Sequence, residues 1–221
     1  MINKRISDIM DGGKRIYKVL LYSDENVASK DAETISQALL KNQLDYFISD
    51  FKTIDADFDV LVLPPCSISQ DMLEFINLLG EKDIKVFALM KPEFLPEIKK
   101  AAACRNFRIC KDVNDLTMNI ITSINPDVLL KKEADIFYIK KEFEACYKYL
   151  FVNAGETDVN TSAELYIDKK DKEYKFILYN PVTDEKNEIN AELKNSKAVI
   201  DLKLSSDEAV IVIAELIKQK G

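Results

Sequence analysis

The first half of the chain alternates short apolar runs with segments of helical period. Within Phe58 to Pro92, Val60–Leu63 and Val86–Leu89 are apolar runs, and apolar residues recur at three- and four-residue steps between Met72 and Leu79. Continuous apolar runs are typical of strands covered on both faces, and the three-and-four spacing is typical of one helix face. Strand, helix and strand within about 30 residues predict a βαβ unit with a right-handed crossover.

The helix of this unit has predicted boundaries at both ends. Ser67 to Gln70 has the spacing of a capping box, and Ser69 is an alternative N-cap. Gly80 is predicted to end the helix, because glycine leaves the helical conformation at little steric cost.

The same alternation continues through the whole first half of the chain. Five strands are predicted, at Lys18–Tyr22, Tyr46–Ile48, Asp59–Leu63, Lys85–Met90 and Phe107–Cys110. Four helices accompany these strands. They are predicted at Lys30–Asn42, at the segment that ends at Gly80, through Ile98–Cys104, and after the fifth strand, with an N-cap at Asn114 or Asp115. This order predicts an α/β domain with an open parallel sheet of flavodoxin-like or Rossmann-like kind.

A short amphipathic helix precedes the first predicted strand. Ile2, Ile6, Ile9 and Met10 are spaced along one helix face, and the helix is predicted to end at Gly12-Gly13. Its apolar stripe needs a covering surface, either in the same domain or on an upstream partner.

The hydrophobic period changes after the turn at Asn125-Pro126-Asp127. Beyond it, seven strands are predicted, at Asp135–Ile139, Cys146–Val152, Ser162–Ile167, Tyr174–Tyr179, Asn187–Leu193, Ala198–Leu204 and Ala209–Leu216. Alternating apolar and polar positions, with turn residues at short intervals, predict an antiparallel β-sandwich. The sequence therefore predicts two domains, an α/β domain at 1–126 and an all-β sandwich at 127–221.

Composition excludes several classes of protein. Of 221 residues, 47% are hydrophobic and 31% are charged, and the net charge of -7 is spread evenly, which predicts a globular protein without a nucleic-acid partner. No apolar run reaches the roughly 20 residues of a membrane span, and the N-terminus lacks the apolar region of a signal peptide. The four scattered cysteines predict reduced thiols in the cytoplasm.

The absence of histidine limits the chemistry further. Without histidine, the chain cannot form a Ser-His-Asp triad, a Cys-His dyad or a histidine-containing zinc site. The turn after the first strand, SDENVASKD, contains no glycine, whereas a dinucleotide fingerprint needs several there. We therefore expect no metal, no cofactor and no catalytic residue that the sequence alone identifies.

The best candidates for a ligand site follow the carboxyl ends of three predicted strands. They are Ser23 and Asp24 after the first strand, Cys66 and Ser67 after the third, and Lys91 after the fourth. Ligands of open α/β sheets bind at this edge.

Each candidate also has a structural interpretation. Cys66 near a helix N-terminus could be an activated nucleophile, but two prolines precede it and no histidine base exists, so a structural role is favoured. Asp24 and Glu25 could serve in acid-base chemistry, but a solvated polar loop is favoured. Tyr147, Tyr149 and Phe151 share one strand face and could stack on a sugar, but core packing is favoured.

Two segments resemble a family of large bacterial enzymes. LDYFISDFKTIDADFDVLVLPPCSISQDMLEFINLLGEKDIKVFALM resembles the α/β domain of glycoside hydrolases of the α-L-rhamnosidase type, where a strand ending in LP precedes a helix that opens with Ser or Thr. DIFYIKKEFEACYKYLFVNAGETDVNTSAELYI, followed by LYNPVTDEKNEI, is similar to their terminal β-sandwich. In its W-D-P-x-T-G turn, tyrosine, asparagine and aspartate here replace tryptophan, aspartate and glycine.

The resemblance implies a function without a catalytic residue. In that family the catalytic carboxylates lie on an upstream barrel, and no segment here matches the barrel. The resemblance thus implies a non-catalytic C-terminal region, or a free-standing relative, of a bacterial glycoside hydrolase in carbohydrate metabolism. Its expected partners are an upstream catalytic barrel and a carbohydrate, with no nucleic acid and no membrane. The alternative is a small independent ligand-binding protein or enzyme that uses the rim of the α/β sheet.

Overall fold

The computed structural model describes residues 2–25, 27–52, 54, 57–89, 91–132, 134–167, 172–191 and 193–219. The chain divides into two compact units. Residues 17–125 form one, which we call the α/β unit, and residues 1–16 together with 126–221 form the other, which we call the sandwich unit.

The secondary structure includes five α-helices and fifteen strands in the described residues. The helices are α1 Ile2–Met10, α2 Ser29–Lys41, α3 Gln70–Glu81, α4 Leu95–Ala101 and α5 Val113–Ser123, with a 3-10 turn at Pro92–Phe94. The strands are β1 Lys14–Arg15, β2 Val19–Tyr22, β3 Tyr46–Ser49, β4 Val60–Leu63, β5 Lys85–Leu89, β6 Phe107–Cys110, β7 Val128–Leu130, β8 Ile136–Glu142, β9 Cys146–Asn153, β10 Val159–Tyr166, β11 Lys172–Asn180, β12 Glu185–Ile189, β13 Leu193–Lys194, β14 Lys197–Leu204 and β15 Ala209–Gln219. None of the helices in this part of the chain is long and apolar enough to cross a membrane.

The α/β unit contains one parallel sheet of five strands. Their order is β3-β2-β4-β5-β6, which is the order 2-1-3-4-5 of flavodoxin-like sheets. All residues of β2 and β4 are buried, as their unbroken apolar runs predicted. The five predicted strands of this half are present; Met90, the predicted end of the fourth, lies outside the described residues.

Helices cover both faces of the parallel sheet. One apolar layer contains side chains of α3 and α4, including Met72, Ile76 and Ile98. The layer on the other face contains side chains of α2 and α5, including Ile35 and Leu116. The sheet is therefore buried on both faces. The carboxyl ends of its strands form one accessible edge, which we call the carboxyl edge, and the amino ends form the opposite edge.

The helix boundaries correct two predictions. Ser69 caps α3, since its hydroxyl accepts a hydrogen bond of 3.2 Å from the Met72 N–H. The prediction that Gly80 ends α3 is wrong, because the helix continues to Glu81. A β-carbon at Gly80 would lie 3.0 Å from Asn106 Oδ1, so this glycine provides room for a neighbouring side chain.

The N-cap of α5 also differs from the prediction. Asp112, and neither Asn114 nor Asp115, caps this helix, because its carboxylate accepts a hydrogen bond of 2.8 Å from the Asp115 N–H. The helix predicted through Ile98–Cys104 ends earlier, at Ala101.

Two antiparallel sheets form the sandwich unit. The larger has the order β1-β8-β9-β15-β11-β12 and the smaller the order β13-β14-β10-β7. Their inner faces share one apolar core, which includes Tyr149, Phe151 and Phe176 from the larger sheet and Leu165 and Ile200 from the smaller. The strand predicted at Asn187–Leu193 is divided between the two sheets, as β12 and β13. Between the strands predicted at Ser162–Ile167 and Tyr174–Tyr179 the sequence Asp168 to Lys172 predicts a turn, of which residues 168–171 lie outside the described residues.

The first sixteen residues belong to the sandwich unit, whereas the sequence placed them in the α/β domain of 1–126. Helix α1 packs Ile6, Ile9 and Met10 against Leu150, Tyr179 and Ile211 on the outer face of the larger sheet. Strand β1 pairs with β8. The boundary at 1–126 is therefore corrected at its N-terminal end, because contacts with strands more than 120 residues away decide where this segment lies.

Expression of residues 17–125 alone tests this division. We expect a cooperative thermal unfolding transition and a mixed α/β circular dichroism spectrum, because the unit has its own apolar layers on both sheet faces. Residues 1–126 provide the comparison: they add α1 without the sheet that it covers, so we expect no gain in melting temperature and more aggregation. An aggregated or molten product from residues 17–125 would contradict an independent core.

Candidate functional site

The predicted site residues lie at the carboxyl edge of the α/β unit. Ser23 and Asp24 follow β2, Cys66 and Ser67 follow β4, and Lys91 follows β5. Parallel strands place all of these positions at the same end of the sheet. The Ser23 N–H donates to the Ser49 carbonyl at 3.1 Å, which joins the loop after β2 to the last residue of β3.

Asp24 is the centre of a small polar cluster at this edge. The Tyr22 hydroxyl donates a hydrogen bond of 2.6 Å to Asp24 Oδ2. Burial, and then this hydrogen bond to a carboxylate, raise the pKa of Tyr22 well above its usual range. The charge of Asp24 is also, after burial, a cause of the raised pKa of the Cys66 thiol.

Cys66 is a protonated thiol at neutral pH. Its exposed fraction is 3%, and burial followed by the charge of Asp24 raises the pKa of the thiol to about 12. The thiolate is the nucleophilic form, and an activated cysteine has a lowered pKa. The structure therefore favours the structural interpretation of Cys66 over the nucleophile.

Cys66→Ala tests the raised pKa. In the folded state the thiol keeps its proton to higher pH than in the unfolded state, where the pKa is near 9.0. The folded state therefore binds more protons above about pH 9, and the free energy of unfolding falls as the pH rises towards 12. Between pH 9 and 11, we expect the free energy of unfolding, measured by urea titration, to fall less in Cys66→Ala than in the wild type.

Alkylation at neutral pH supplies the second measurement for Cys66. Iodoacetamide should modify Cys66 more slowly than the partly exposed Cys104 of the same unit, as followed by peptide mass spectrometry. Faster modification of Cys66 than of free cysteine would restore the nucleophile hypothesis.

The two remaining candidates have different surroundings. Ser67 is exposed, directly after the buried Cys66. Lys91 lies 2.6 Å, Nζ to Oδ2, from Asp31 in the first turn of α2. The ammonium group of Lys91 is thus held by α2, and a ligand that used it would compete with Asp31.

Sequence reasoning missed an aromatic row beside this edge. The rings of Tyr22 and Phe51 are stacked with centroids 6.2 Å apart, and those of Phe51 and Phe75 are stacked at 5.9 Å. Lys52 Nζ lies 5.9 Å from the Phe51 ring centroid. Phe51 and Phe75 lie on a loop and on a helix, so no strand alternation indicated them. The edge offers hydrogen bonding and ring stacking; no group of three or more metal-binding side chains occurs in the described residues.

The sandwich unit has a polar pair within its core. Lys140 Nζ lies 2.5 Å from Asp127 Oδ1 and donates to the Tyr166 carbonyl at 3.1 Å. The same ammonium group lies 5.1 Å and 5.6 Å from the ring centroids of Tyr147 and Tyr149. Both rings are buried, as is that of Phe151, so the predicted core role of this strand face is confirmed.

Comparison with known proteins shows relatives of the fold alone. No protein-family model and no curated protein sequence matches the chain. A solved structure of a rhamnosidase from Novosphingobium sp. PP1Y matches 96% of this chain with a TM-score of 0.65 and 14% identity, over 24% of its own length.

Two further enzymes match the chain in the same way. Alpha-L-fucosidase isoenzyme 2 from Paenibacillus thiaminolyticus matches 97% of it with a TM-score of 0.72 and 10% identity, over 51% of its own chain. A beta-galactosidase from Bacillus circulans sp. alkalophilus matches 96% with a TM-score of 0.62 and 6% identity, over 43% of its chain. The chain thus has a fold that occurs within glycoside hydrolase chains, and it spans between a quarter and about half of their length.

Proposed function

We propose that this chain is a non-catalytic accessory region of a glycoside hydrolase, with a role in structure, assembly or carbohydrate contact. The proposal is supported by the unequal shares of the two chains in each structural match. Almost the whole chain matches parts of a rhamnosidase, an alpha-L-fucosidase and a beta-galactosidase, and those enzymes are two to four times as long as the matched part. The catalytic domain would then be a barrel on the same polypeptide or on a partner.

The chemistry of the carboxyl edge supports a role without catalysis. Glycoside hydrolysis generally uses two carboxyl groups about 5 to 10 Å apart across a sugar-sized cleft. Here the carboxylate of Asp24 accepts a hydrogen bond from the Tyr22 hydroxyl, and that of Asp31 is paired with Lys91. The four cysteines are all free thiols, which supports a reducing compartment such as the bacterial cytoplasm.

A panel of aryl glycosides tests whether the chain is catalytic by itself. We expect no hydrolysis of aryl α-L-rhamnoside, α-L-fucoside or β-galactoside by the purified chain. Turnover that is abolished by one substitution such as Asp24→Asn cannot come from a contaminant and would contradict the proposal. Binding of a sugar without turnover would identify carbohydrate contact as the role.

The expected partner gives a second, positive test. A barrel with paired acidic residues, in the same or a neighbouring reading frame, should co-purify with the tagged chain or be fused to it. The half-buried rings of Phe51 and Phe75, stacked in a row with the buried Tyr22, support the second candidate, an independent protein that binds a ring-shaped ligand at the carboxyl edge. A reproducible ligand near Ser23, Cys66 and Lys91, without any associated barrel, would favour that candidate.

A further inference from the structure

The α/β unit has a cavity at the opposite edge of its sheet, where the strands begin. Its volume is about 460 Å³, within the range typical of small-molecule sites. Its lining includes three cationic side chains, one carboxylate and two phenylalanine residues: Lys85, Arg105, Arg108, Asp83, Phe87 and Phe107.

Asn106 anchors the backbone between the two arginines of this cavity. Its side-chain amide donates to the Ile76 carbonyl at 3.3 Å and to the Ile84 carbonyl at 2.8 Å. The backbone of Asn106 adds a third link, because its carbonyl accepts a hydrogen bond of 2.9 Å from the Val86 N–H. The segment before β6 is thereby tied to α3 and β5, and Arg105 and Arg108 extend from a fixed backbone.

Burial alternates along this segment. Phe107 is buried in the apolar layer of α3 and α4, and Arg105 and Arg108 on either side of it are exposed. The lining therefore combines phenylalanine residues from the layers on both faces of the sheet with charged side chains. Small-molecule sites commonly combine apolar and polar groups in this way.

The electrostatic balance of the cavity is positive, although the chain as a whole has a charge of -7. Within the described residues, no acidic side chain forms an ion pair with Lys85, Arg105 or Arg108. Helices α3 and α5 end beside the cavity, and each helix end has about half a negative charge. Three cations exceed those two helix ends and the carboxylate of Asp83 together.

We infer that this cavity binds a ring-shaped organic anion that carries a carboxylate or a phosphate, such as a sugar acid or a sugar phosphate. Guanidinium groups match the paired oxygens of carboxylate and phosphate, which they bind through two parallel hydrogen bonds. Phe87 and Phe107, which belong to the apolar layers on opposite faces of the sheet, supply the apolar part of the lining for the carbon ring of the ligand. The inference is independent of the proposed function, since it concerns a different edge of the sheet and requires no catalytic partner.

Titration calorimetry of the full chain with four probes tests this site. The probes are glucuronate, glucose 6-phosphate, glucose and inorganic phosphate. We expect glucuronate or glucose 6-phosphate to bind more tightly than glucose and inorganic phosphate, with affinity that falls as salt rises. Tighter binding of glucuronate would identify a carboxylate ligand, and tighter binding of glucose 6-phosphate would identify a phosphate ligand.

Variants locate the binding. The double variant Arg105→Gln/Arg108→Gln should lower the affinity for the sugar anion by about tenfold or more, because it removes charge-assisted hydrogen bonds. Its control, Lys30→Gln/Lys111→Gln, removes the same charge from exposed positions at the carboxyl edge and should leave the affinity unchanged. Lys85→Gln replaces the double variant if circular dichroism shows that the latter is unfolded.

Three results with the wild-type chain would overturn the inference. They are no binding of either sugar anion, equal affinity for glucose, and equal affinity for inorganic phosphate, the last of which would leave an adventitious anion only. Unchanged affinity in the arginine variant would also reject this cavity as the site. None of these results depends on glycoside turnover, so failure here is distinct from failure of the proposed function.

Discussion

Lys140→Met should lower the free energy of unfolding by about 3 to 5 kcal/mol, the usual cost of removing one partner of a buried ion pair. Lys140 is 2% exposed and Asp127 is 0% exposed. Loss of the ammonium group leaves the carboxylate of Asp127 in the sandwich core without its cation, 2.5 Å away in the wild type. Asp127 Oδ2 is buried and has no hydrogen-bond partner, so no other group compensates for the loss. Urea unfolding followed by tyrosine fluorescence measures the effect.

A second pair in the same unit supplies the control. Lys197 and Glu164 are linked at 3.0 Å, but both side chains are substantially exposed. Lys197→Met should therefore cost about 0 to 1 kcal/mol. The double variant Lys140→Met/Asp127→Leu should recover most of the lost stability, because no unpaired charge remains in the core. Equal costs for Lys140→Met and Lys197→Met would show that burial does not determine the strength of the pair.

Removal of residues 1–11 should destabilise the sandwich unit by several kcal/mol and cause it to self-associate. Ile6, Ile9 and Met10 pack on the outer face of the larger sheet, and full burial of such a side chain is worth about 1.5 to 3 kcal/mol. The deletion exposes Leu150 and Ile211, which are buried in the wild type.

Polar contacts of α1 are lost in the same deletion. Lys148 Nζ donates to the Ile9 carbonyl at 2.5 Å, and Lys141 Nζ donates to the Met10 carbonyl at 2.7 Å. These two lysines satisfy carbonyls at the C-terminal end of the helix, where a cation is also favoured by the helix dipole. Arg5 donates to the Pro181 carbonyl at 3.0 Å.

A pair of point variants separates packing from simple truncation. Ile6→Ser/Ile9→Ser should reproduce much of the loss, whereas Ile2→Ser on the same helix should have little effect, because Ile2 is 42% exposed. Urea midpoints and size-exclusion profiles report the two consequences. An unchanged midpoint after removal of residues 1–11 would mean that α1 adds nothing to this unit.

The sequence was most informative where structure depends on neighbouring residues. The strands of the α/β unit, the terminal strand β15 and the helix α1 were all predicted from the local period of apolar residues. Lys140 could have been found in the same way, because Ile136, Tyr138 and Lys140 alternate along β8 and all three are buried. A lysine at an inward position of a sandwich strand indicates a buried ion pair, since an isolated buried charge is too costly.

Other features depend on which distant segments come together, and the tertiary structure decided them. Gly80 lies inside α3, where a β-carbon would approach Asn106 Oδ1 to 3.0 Å, and no local rule relates these two positions. The place of α1 depends on strands that follow it by more than 120 residues. The pKa of Cys66 depends on burial and on Asp24, which comes from another strand end.

By itself, therefore, the sequence determined most of the helices and strands, the parallel sheet of the first half and the antiparallel strands of the second, but it did not indicate the short strands β1 and β7. It also excluded histidine chemistry, because that conclusion needs composition alone. The tertiary structure decided that residues 1–16 complete the sandwich unit, that Asp127 pairs with Lys140 in its core, and that three cations surround one cavity. The physical reason is that hydrophobic period acts between adjacent turns and strand positions, whereas burial and charge pairing are set by contacts between residues far apart in the chain.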